Sequence, residues 1–508
     1  MSRNFYYYTK NSYTGGQNDS KEPDQLNEDE CLLLQDAMTN SKGYVQKRAG
    51  NAYVGNVLTT TDPVLGLFTF ITDAGVTKEL RMETTSLQYN NSGTWTDIDT
   101  GFTTGLDTWF TQANDKVYIS NGTEDTHSYD GSSVVDLGSS YPKAKYSAWW
   151  KNYFFLAGDA AIGGTTHKNR VFFSNLGDPD TITDGTDYFD VGKSDGQDIT
   201  GIYPLGEFLV IFKRKSIYIM SGSNPDAWKL SASVNNLVSI ANSVGCVSAK
   251  SIVQVGNDLW FASDDGFRSV KRNEEGSTPL MGIVSGNINS TIDSINSSAY
   301  SKIASKFFNN KVYFSIPTGS STTNNLTMVA NTRISLDNPM NPHPWYTYAN
   351  WTPYCYNIHL TGGVAKLHYG DSITTCTYQG ETGDSDVVGD IDMDIKGRMV
   401  DGGSPEMQKT FRFMKYGVKG SGDYDLSVYT SLDGTSFTLQ DTINLQQGTL
   451  WNTGKWGEDS WSRPGEIKDK IAFKIGTPQL MIRLRQNGNS QPVTIYPFTL
   501  AIKKRKIK

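Results

Sequence analysis

Asn114-Asp-Lys-Val-Tyr-Ile-Ser120 sets a polar turn directly in front of an apolar, β-branched and aromatic run, and the chain repeats that arrangement. Further copies are Trp150-Lys-Asn-Tyr-Phe-Phe-Leu156, Gly206-Glu-Phe-Leu-Val-Ile-Phe212, Gly256-Asn-Asp-Leu-Trp-Phe-Ala262 and Asn309-Asn-Lys-Val-Tyr-Phe-Ser315. Most are followed by a second strand-like run, as in Arg170 to Ser174, Ser216 to Ser221 and Gly266 to Lys271. The copies recur roughly every 35 to 55 residues, the size of a four-stranded propeller blade; a sandwich would turn every 8–12 residues or so. The predicted fold is therefore mainly β, with a β-propeller over residues 64–379. Strand groups suggest about seven blades, with six or eight also compatible because terminal blades are often completed from elsewhere in the chain.

Composition agrees with this reading. In 508 residues, aromatics reach 12%, with 27 Tyr and 49 Gly, while only 19% are charged, a balance of strand and turn formers that excludes a helical bundle or a disordered chain. The length matches two or three domains. After Gln379, Gly380-Glu-Thr-Gly-Asp-Ser-Asp386 reads as a polar linker. Strands then regularise at Phe411 to Tyr416, Tyr424 to Thr430, Lys470 to Ile475, Gln479 to Arg485 and Thr494 to Ile502. Five or more strands over about a hundred residues predict a C-terminal β-sandwich of jelly-roll type within residues 380–508. Ahead of the propeller, residues 1–63 read as an arm with one short helix over Leu26 to Met38, where Asn27 and Glu30 have the spacing of a capping box.

A net charge of −7 gives the whole chain no general attraction for nucleic acid or anionic membrane. No stretch of about 18 apolar residues is present, and the N-terminus lacks the apolar core of a secretory signal, so no membrane insertion and a cytosolic origin are expected. Cysteines 31, 246, 355 and 376 are too far apart for a metal knuckle and read as buried small hydrophobes.

Candidate chemistry is sparse. Histidines 127, 167, 343, 359 and 368 show no ligand spacing, and the nucleophile-elbow and phosphate-loop motifs are missing, so no catalytic residue, metal or cofactor is expected. Asp390, Asp392 and Asp394 alternate along one strand face, but Ile395 stands where a calcium loop needs glycine. Ser431-Leu-Asp-Gly-Thr-Ser-Phe437 reads as an Asp-stabilised turn. Lys213-Arg214-Lys215 falls between strands as exposed turn charge, whereas Trp149-Trp150 and Tyr153-Phe154-Phe155 read as core between blades. Trp451, Trp456 and Trp461 sit in a Gly- and Asn-rich loop and are a candidate contact surface. Lys503, Lys504, Arg505, Lys506 and Lys508 form a basic tail suited to an acidic neighbour or DNA.

The most specific stretch is the opening. Gly15, Gly16, Gln17 and Asn18, then Pro23, Leu26, Glu28, Glu30 and Cys31, then Gly43, and finally Lys47, Arg48, Ala49 and Gly50 together resemble the start of the packaged-DNA stabilisation, or tail nozzle, proteins of short-tailed bacteriophages. Ala49 stands where that pattern commonly has proline, and Gln17 and Gln35 where apolar residues or Asn are usual. The C-terminal residues Ser431 to Gly434, Phe437, Trp451, Trp456, Gly457, Trp461 and Ile482 to Arg485 are similar to modules of phage structural proteins.

The resemblance implies a non-enzymatic structural protein of the virion tail, assembled in the host bacterial cytoplasm. It would form a homo-oligomeric ring, expected to be a hexamer, at the distal tail tube, retaining packaged DNA and opening for ejection. Implied partners are other copies of the chain, portal, adaptor or tail tube proteins, receptor-binding or tail fibre proteins, and double-stranded DNA passing without sequence-specific contact. The arm of residues 15–50 is then expected to dock on the tail, so that deleting residues up to Gly50 abolishes incorporation but leaves a folded propeller. Two other classes are a receptor-binding or adhesin-like tail protein and a propeller glycan hydrolase.

Overall fold

The polar pairs that begin the repeated runs are hairpin turns. Asn114-Asp115, Lys151-Asn152 and Asn309-Asn310 each hold two successive residues at positive φ, between 45° and 61°. Two positive φ values mark a type I′ turn, whose twist matches the strands it joins and which Asn and Asp tolerate best. Ala113 pairs with Lys116, Trp150 with Tyr153 and Phe308 with Lys311 across these turns.

The computed structural model describes residues 5–57, 61–183, 185–229, 236–271, 280–420, 422–445 and 467–504. Its four-stranded antiparallel sheets form a β-propeller. The first blade comprises Val64–Ile71, Thr77–Glu83, Ser86–Asn91 and Thr94–Thr100. The second is Trp109–Ala113, Lys116–Ser120, His127–Tyr129 and Val134–Asp136; the third is Tyr146–Trp150, Tyr153–Ala157, Arg170–Phe173 and Tyr188–Asp190. The fourth is Ile199–Leu205, Phe208–Lys213, Ile217–Met220 and Leu237–Ala241; the fifth is Val253–Val255, Asp258–Ser263, Gly266–Lys271 and Leu280–Ile283. The closing blade takes Pro353–Thr361, Val364–Asp371 and Thr377–Gly380 and borrows its outer strand, Asn51–Tyr53, from near the N-terminus.

These six sheets stand alone, against an expected count of about seven blades. A further group, Ala304–Phe308, Lys311–Ile316, Leu326–Asn331 and Trp345–Ala349, sits between the fifth and closing blades. We call it the fused blade, because its outer strand continues into a nine-stranded sheet.

Pro353–Thr361 packs against Val64–Ile71 and completes the circle. The cores lie between blades. Val210, Phe212 and Ile217 of the fourth blade pack with Leu259, Phe261 and Val270 of the fifth. Phe267 and Phe314 stack with centroids 4.0 Å apart between the fifth and fused blades. Each such buried side chain stabilises by about 1.5–3 kcal/mol, so the circle is held by the sum of its blade contacts. Trp150 and Tyr153 to Phe155 are buried among them, whereas Trp149 is only half-buried.

The sandwich draws on both ends of the chain. One sheet contains Tyr6–Thr9, Thr499–Lys504, Lys409–Lys419, Ile467–Thr477, Thr494–Ile495, Val45–Lys47 and Ala37–Thr39. The facing sheet contains Leu33–Gln35, Asp392–Val400, Leu480–Asn487, Asp425–Ser431 and Thr438–Asn444. Their inner faces share one apolar core that includes Leu34, Val45, Phe411, Leu426, Ile482 and Leu500.

Two sequence expectations change here. The helix expected over Leu26 to Met38 is a single turn followed by strands. Glu30 accepts the Asn27 N–H at 2.8 Å, as the capping spacing suggested, but Glu30–Cys31, Leu33–Gln35 and Ala37–Thr39 are extended. Leu34 and Ala37 are fully buried, and neighbouring strands supply the backbone partners, so tertiary pairing overrides local helix preference. The N-terminal segment also is not a free arm. Leu33–Gln35 pairs with Asp392–Val400 of the sandwich on one side and meets Thr347 of the fused blade on the other.

Candidate functional site: the strap and the propeller channel

Residues 15–50 form a strap between propeller and sandwich. Arg48 is its hub. The guanidinium directs Nε to Asp36 Oδ1 at 2.5 Å, Nη1 to Asp386 Oδ1 at 2.9 Å and Nη2 to Asp386 Oδ2 at 2.5 Å. Its other two contacts are the carbonyls of Ala49 at 3.0 Å and Ala349 at 3.2 Å. All five guanidinium N–H groups thus have acceptors, the condition for burying this cation without a large penalty. Arg48, Asp36 and Asp386 have fully buried side chains. Burial would lower the Arg48 pKa, but the hydrogen bonds to Asp386 and the Asp36 charge hold it above its usual value. The rings of Tyr348 and Trp351 lie 5.4 and 5.5 Å from the guanidinium carbon.

The hub joins three segments far apart in sequence. Asp36 sits in the strap at φ 49°, Ala349 ends the fused blade, and Asp386 lies in the supposed linker. The backbone tightens the same joint: Asp36 N–H donates to the Thr347 carbonyl at 2.7 Å and Arg48 N–H to the Asp36 carbonyl at 3.0 Å. Gly50 runs against residues 383–385 so closely that a Cβ there would lie 1.9 Å from the Ser385 carbonyl oxygen.

Other residues of the opening pattern have comparable internal roles. Gly16, at φ 72°, lets the chain pass Pro344 and Trp345, where a Cβ would come within 2.7 Å of the proline side chain. Gly15 donates its N–H to the Asp29 carbonyl, and the Gly43 carbonyl accepts from Tyr13. Asn18 Nδ2 donates to Glu30 Oε1 at 2.9 Å, with both side chains buried. The Pro23 carbonyl accepts the Met399 N–H of the sandwich, and Leu26 is buried. Lys47 Nζ donates to Gln486 Oε1 and the Gly488 carbonyl, each at 2.5 Å, and burial pulls its pKa down to about 8.

Gln17 also has a structural role here. Its Oε1 accepts from Leu34 N–H at 3.2 Å and from Thr347 Oγ1 at 2.9 Å, linking strap to fused blade. Sequence reasoning missed Asp36 and Asp386, whose partner lies 338 residues from the latter. It also missed Lys10, a buried cation donating to the Glu28 and Glu30 carbonyls.

Other candidates resolve simply. Arg485 makes a two-pronged pair with Asp392 and Arg483 with Asp394, at 2.6–2.9 Å, so two of the three alternating carboxylates are neutralised by the next strand, while Asp390 is exposed. Asp433 accepts the Thr435 and Ser436 N–H groups at 2.8 Å each, and those bonds hold its carboxyl well below the usual range. Lys213 corrects the reading of an exposed turn: it is fully buried, with Nζ 2.8 Å from both Asp195 oxygens and 3.0 Å from Asn169 Oδ1. The loop carrying Asp195 supplies the anion that makes its burial tolerable. Arg214 and Lys215 share Asp264. His359 and His368 stack at 5.1 Å, and His368 Nδ1 lies 2.6 Å from Glu79 Oε1. All four cysteines are buried thiols. Lys503 and Lys504 are exposed at the end of the last strand; Arg505, Lys506, Lys508, Trp451, Trp456 and Trp461 lie outside the described residues.

The inner strands surround a cavity of about 830 Å³ to which every blade contributes. Beside it, Lys250 Nζ lies 2.9 Å from Asp107 Oδ1, Tyr354 O–H donates to the same carboxylate, and Lys302 Nζ reaches Tyr354 at 2.7 Å. Asp107 immediately precedes the second blade and Lys250 the fifth, so this ion pair links opposite sides of the circle. Burial would raise the Asp107 pKa, but Lys250 and Lys302 bring it below its usual value.

No family model matches the chain, and no curated protein sequence matches it. Solved structures similar in fold include BBS1N from its crystal structure in complex with ARL6DN, 9% identical, covering 66% of this chain and 98% of that one, TM-score 0.40. The computationally designed Ika8 protein is 11% identical, covering 68% and 96%, TM-score 0.36. The AfRom2 CNH domain is 9% identical, covering 65% and 98%, TM-score 0.37.

Proposed function

We propose that this chain is a non-enzymatic structural subunit of a bacteriophage tail, a wall element of a nozzle-like ring that retains packaged DNA until ejection. The observation that carries the reading is the buried Arg48 hub. The opening pattern shared with tail nozzle proteins is spent on locking propeller to sandwich, and a rigid two-body block suits a wall under load from a packed genome.

The passage for DNA lies between copies of the chain. A cavity of 830 Å³ is of small-molecule size, and the Lys250–Asp107 pair spans the propeller beside it. A wall with a net charge of −7 has little cause to grip phosphates and slow their exit. Because the strap is buried in its own chain, docking to portal, adaptor or tube proteins falls to exposed faces of the block, and the basic end of the last strand is a candidate for an acidic neighbour. Six copies around the axis is the arrangement the family resemblance implies.

Particles assembled without this chain test the reading. They should package DNA but lose it to added nuclease, whereas control particles keep it. Nuclease-resistant genomes in such particles, or turnover of host polysaccharide by the purified chain, would contradict it.

A further inference from the structure

The central cavity has an unusual charge balance. Among the described residues its lining includes two lysines and no carboxylate. Lys250 is satisfied by Asp107 at 2.9 Å. Lys306, on the inner strand of the fused blade, has no ion pair or hydrogen bond through Nζ among the described residues. It is ringed by protein yet open to the cavity, and burial moves its pKa below the usual lysine value. A half-buried cation in a protein-lined cavity without a counter-ion is costly, and an anion entering the cavity would offset that cost.

The same cavity presents flat apolar walls. Phe68, Phe110, Trp149, Tyr203 and Phe307 come from five different blades and are all half-buried, leaving ring surface towards the space. Phe68 and Phe110 are stacked at 5.8 Å, and Trp109 spends its indole N–H on the Ser147 carbonyl, so ring faces dominate the wall. Cavities of about 300–1,000 Å³ typically hold small molecules, oriented by a few polar groups.

We propose that the propeller channel is a binding site for a small anion with a flat apolar body, of the carboxylate or phosphate class, whose charge pairs with Lys306 while its body packs between the aromatic rings. This site is separate from the strap and does not depend on the tail-wall reading. An occupant would bridge several blades at once and so stabilise the circle.

Benzoate, phenyl phosphate and neutral benzyl alcohol, titrated into the purified full chain by calorimetry and thermal melting, test the proposal. At least one anion should bind and raise Tm, benzyl alcohol should bind at least tenfold more weakly, and the preferred anion identifies the head group. Lys306→Met, which keeps the length of the stem, should weaken anion binding at least tenfold. Absence of binding by both anions, equal binding of the alcohol, or unchanged affinity in a folded K306M would overturn it. Should K306M not fold, the wild-type protein decides: anion affinity must drop at least tenfold from pH 7 to pH 10 as the amine loses its proton, and a flat profile refutes the site.

Discussion

The propeller and the sandwich are built from the same kinds of strand but by opposite use of the chain. In the propeller, neighbouring strands are mostly close in sequence; the distant partners are Asn51–Tyr53 in the closing blade and Leu33–Gln35 beside the fused blade. In the sandwich, Tyr6–Thr9 pairs with Thr499–Lys504 and Leu33–Gln35 with Asp392–Val400, hundreds of residues apart. Local pairing makes each blade nearly self-sufficient, whereas the sandwich depends on the strap bringing remote segments together.

The sharpest way to break that contrast is deletion of residues 5–50. It removes Tyr6–Thr9, Leu33–Gln35, Ala37–Thr39 and Val45–Lys47 from the sandwich but leaves Asn51–Tyr53 for the closing blade. Limited proteolysis should then cut residues 390–504 rapidly and spare the blades; uniform resistance would show the sandwich to be independent of the strap. Next in size, Arg48→Met strands the buried carboxylates of Asp36 and Asp386 and should cost about 3–5 kcal/mol. Denaturant unfolding should register it, and a loss below about 1 kcal/mol would demote the hub. Gly50→Ala forces a Cβ into the Ser385 carbonyl and should cost on the order of 3 kcal/mol, read from the same melts.

Smaller effects sharpen the comparison. Lys47, lowered to about 8 from an ordinary 10.5, sheds its proton in the folded state before the unfolded one does. Stability should therefore rise with pH between about 8 and 10.5, by roughly 1 kcal/mol after solvent screening, and Lys47→Met should flatten that slope relative to wild type. The partly exposed Asp392–Arg485 pair should matter least, with Asp392→Ala costing under about 1 kcal/mol.

The same contrast explains what could be read from the sequence. Asn114-Asp115 and Asn309-Asn310 announced their hairpins because turn chemistry and strand pattern sit side by side. Asn51–Tyr53 could not be recognised, since a three-residue strand that completes a distant sheet has no local signature. Leu32 to Leu34 read as helix because the partners that make Leu33–Gln35 a strand, Thr347 and Asp392–Val400, are hundreds of residues away. Arg48 stood out as part of a pattern, yet its role depends on Asp36 and Asp386, which the sequence gives no reason to pair. Lys213 misled for a similar reason, its anion arriving from the preceding loop.

Electron microscopy of the purified full chain at high concentration probes the functional account most directly. A nozzle subunit should form closed rings whose central opening clearly exceeds the roughly 12 Å major groove of B-DNA, wide enough for the whole duplex. Particles that remain single two-lobed blocks at every concentration would contradict that account.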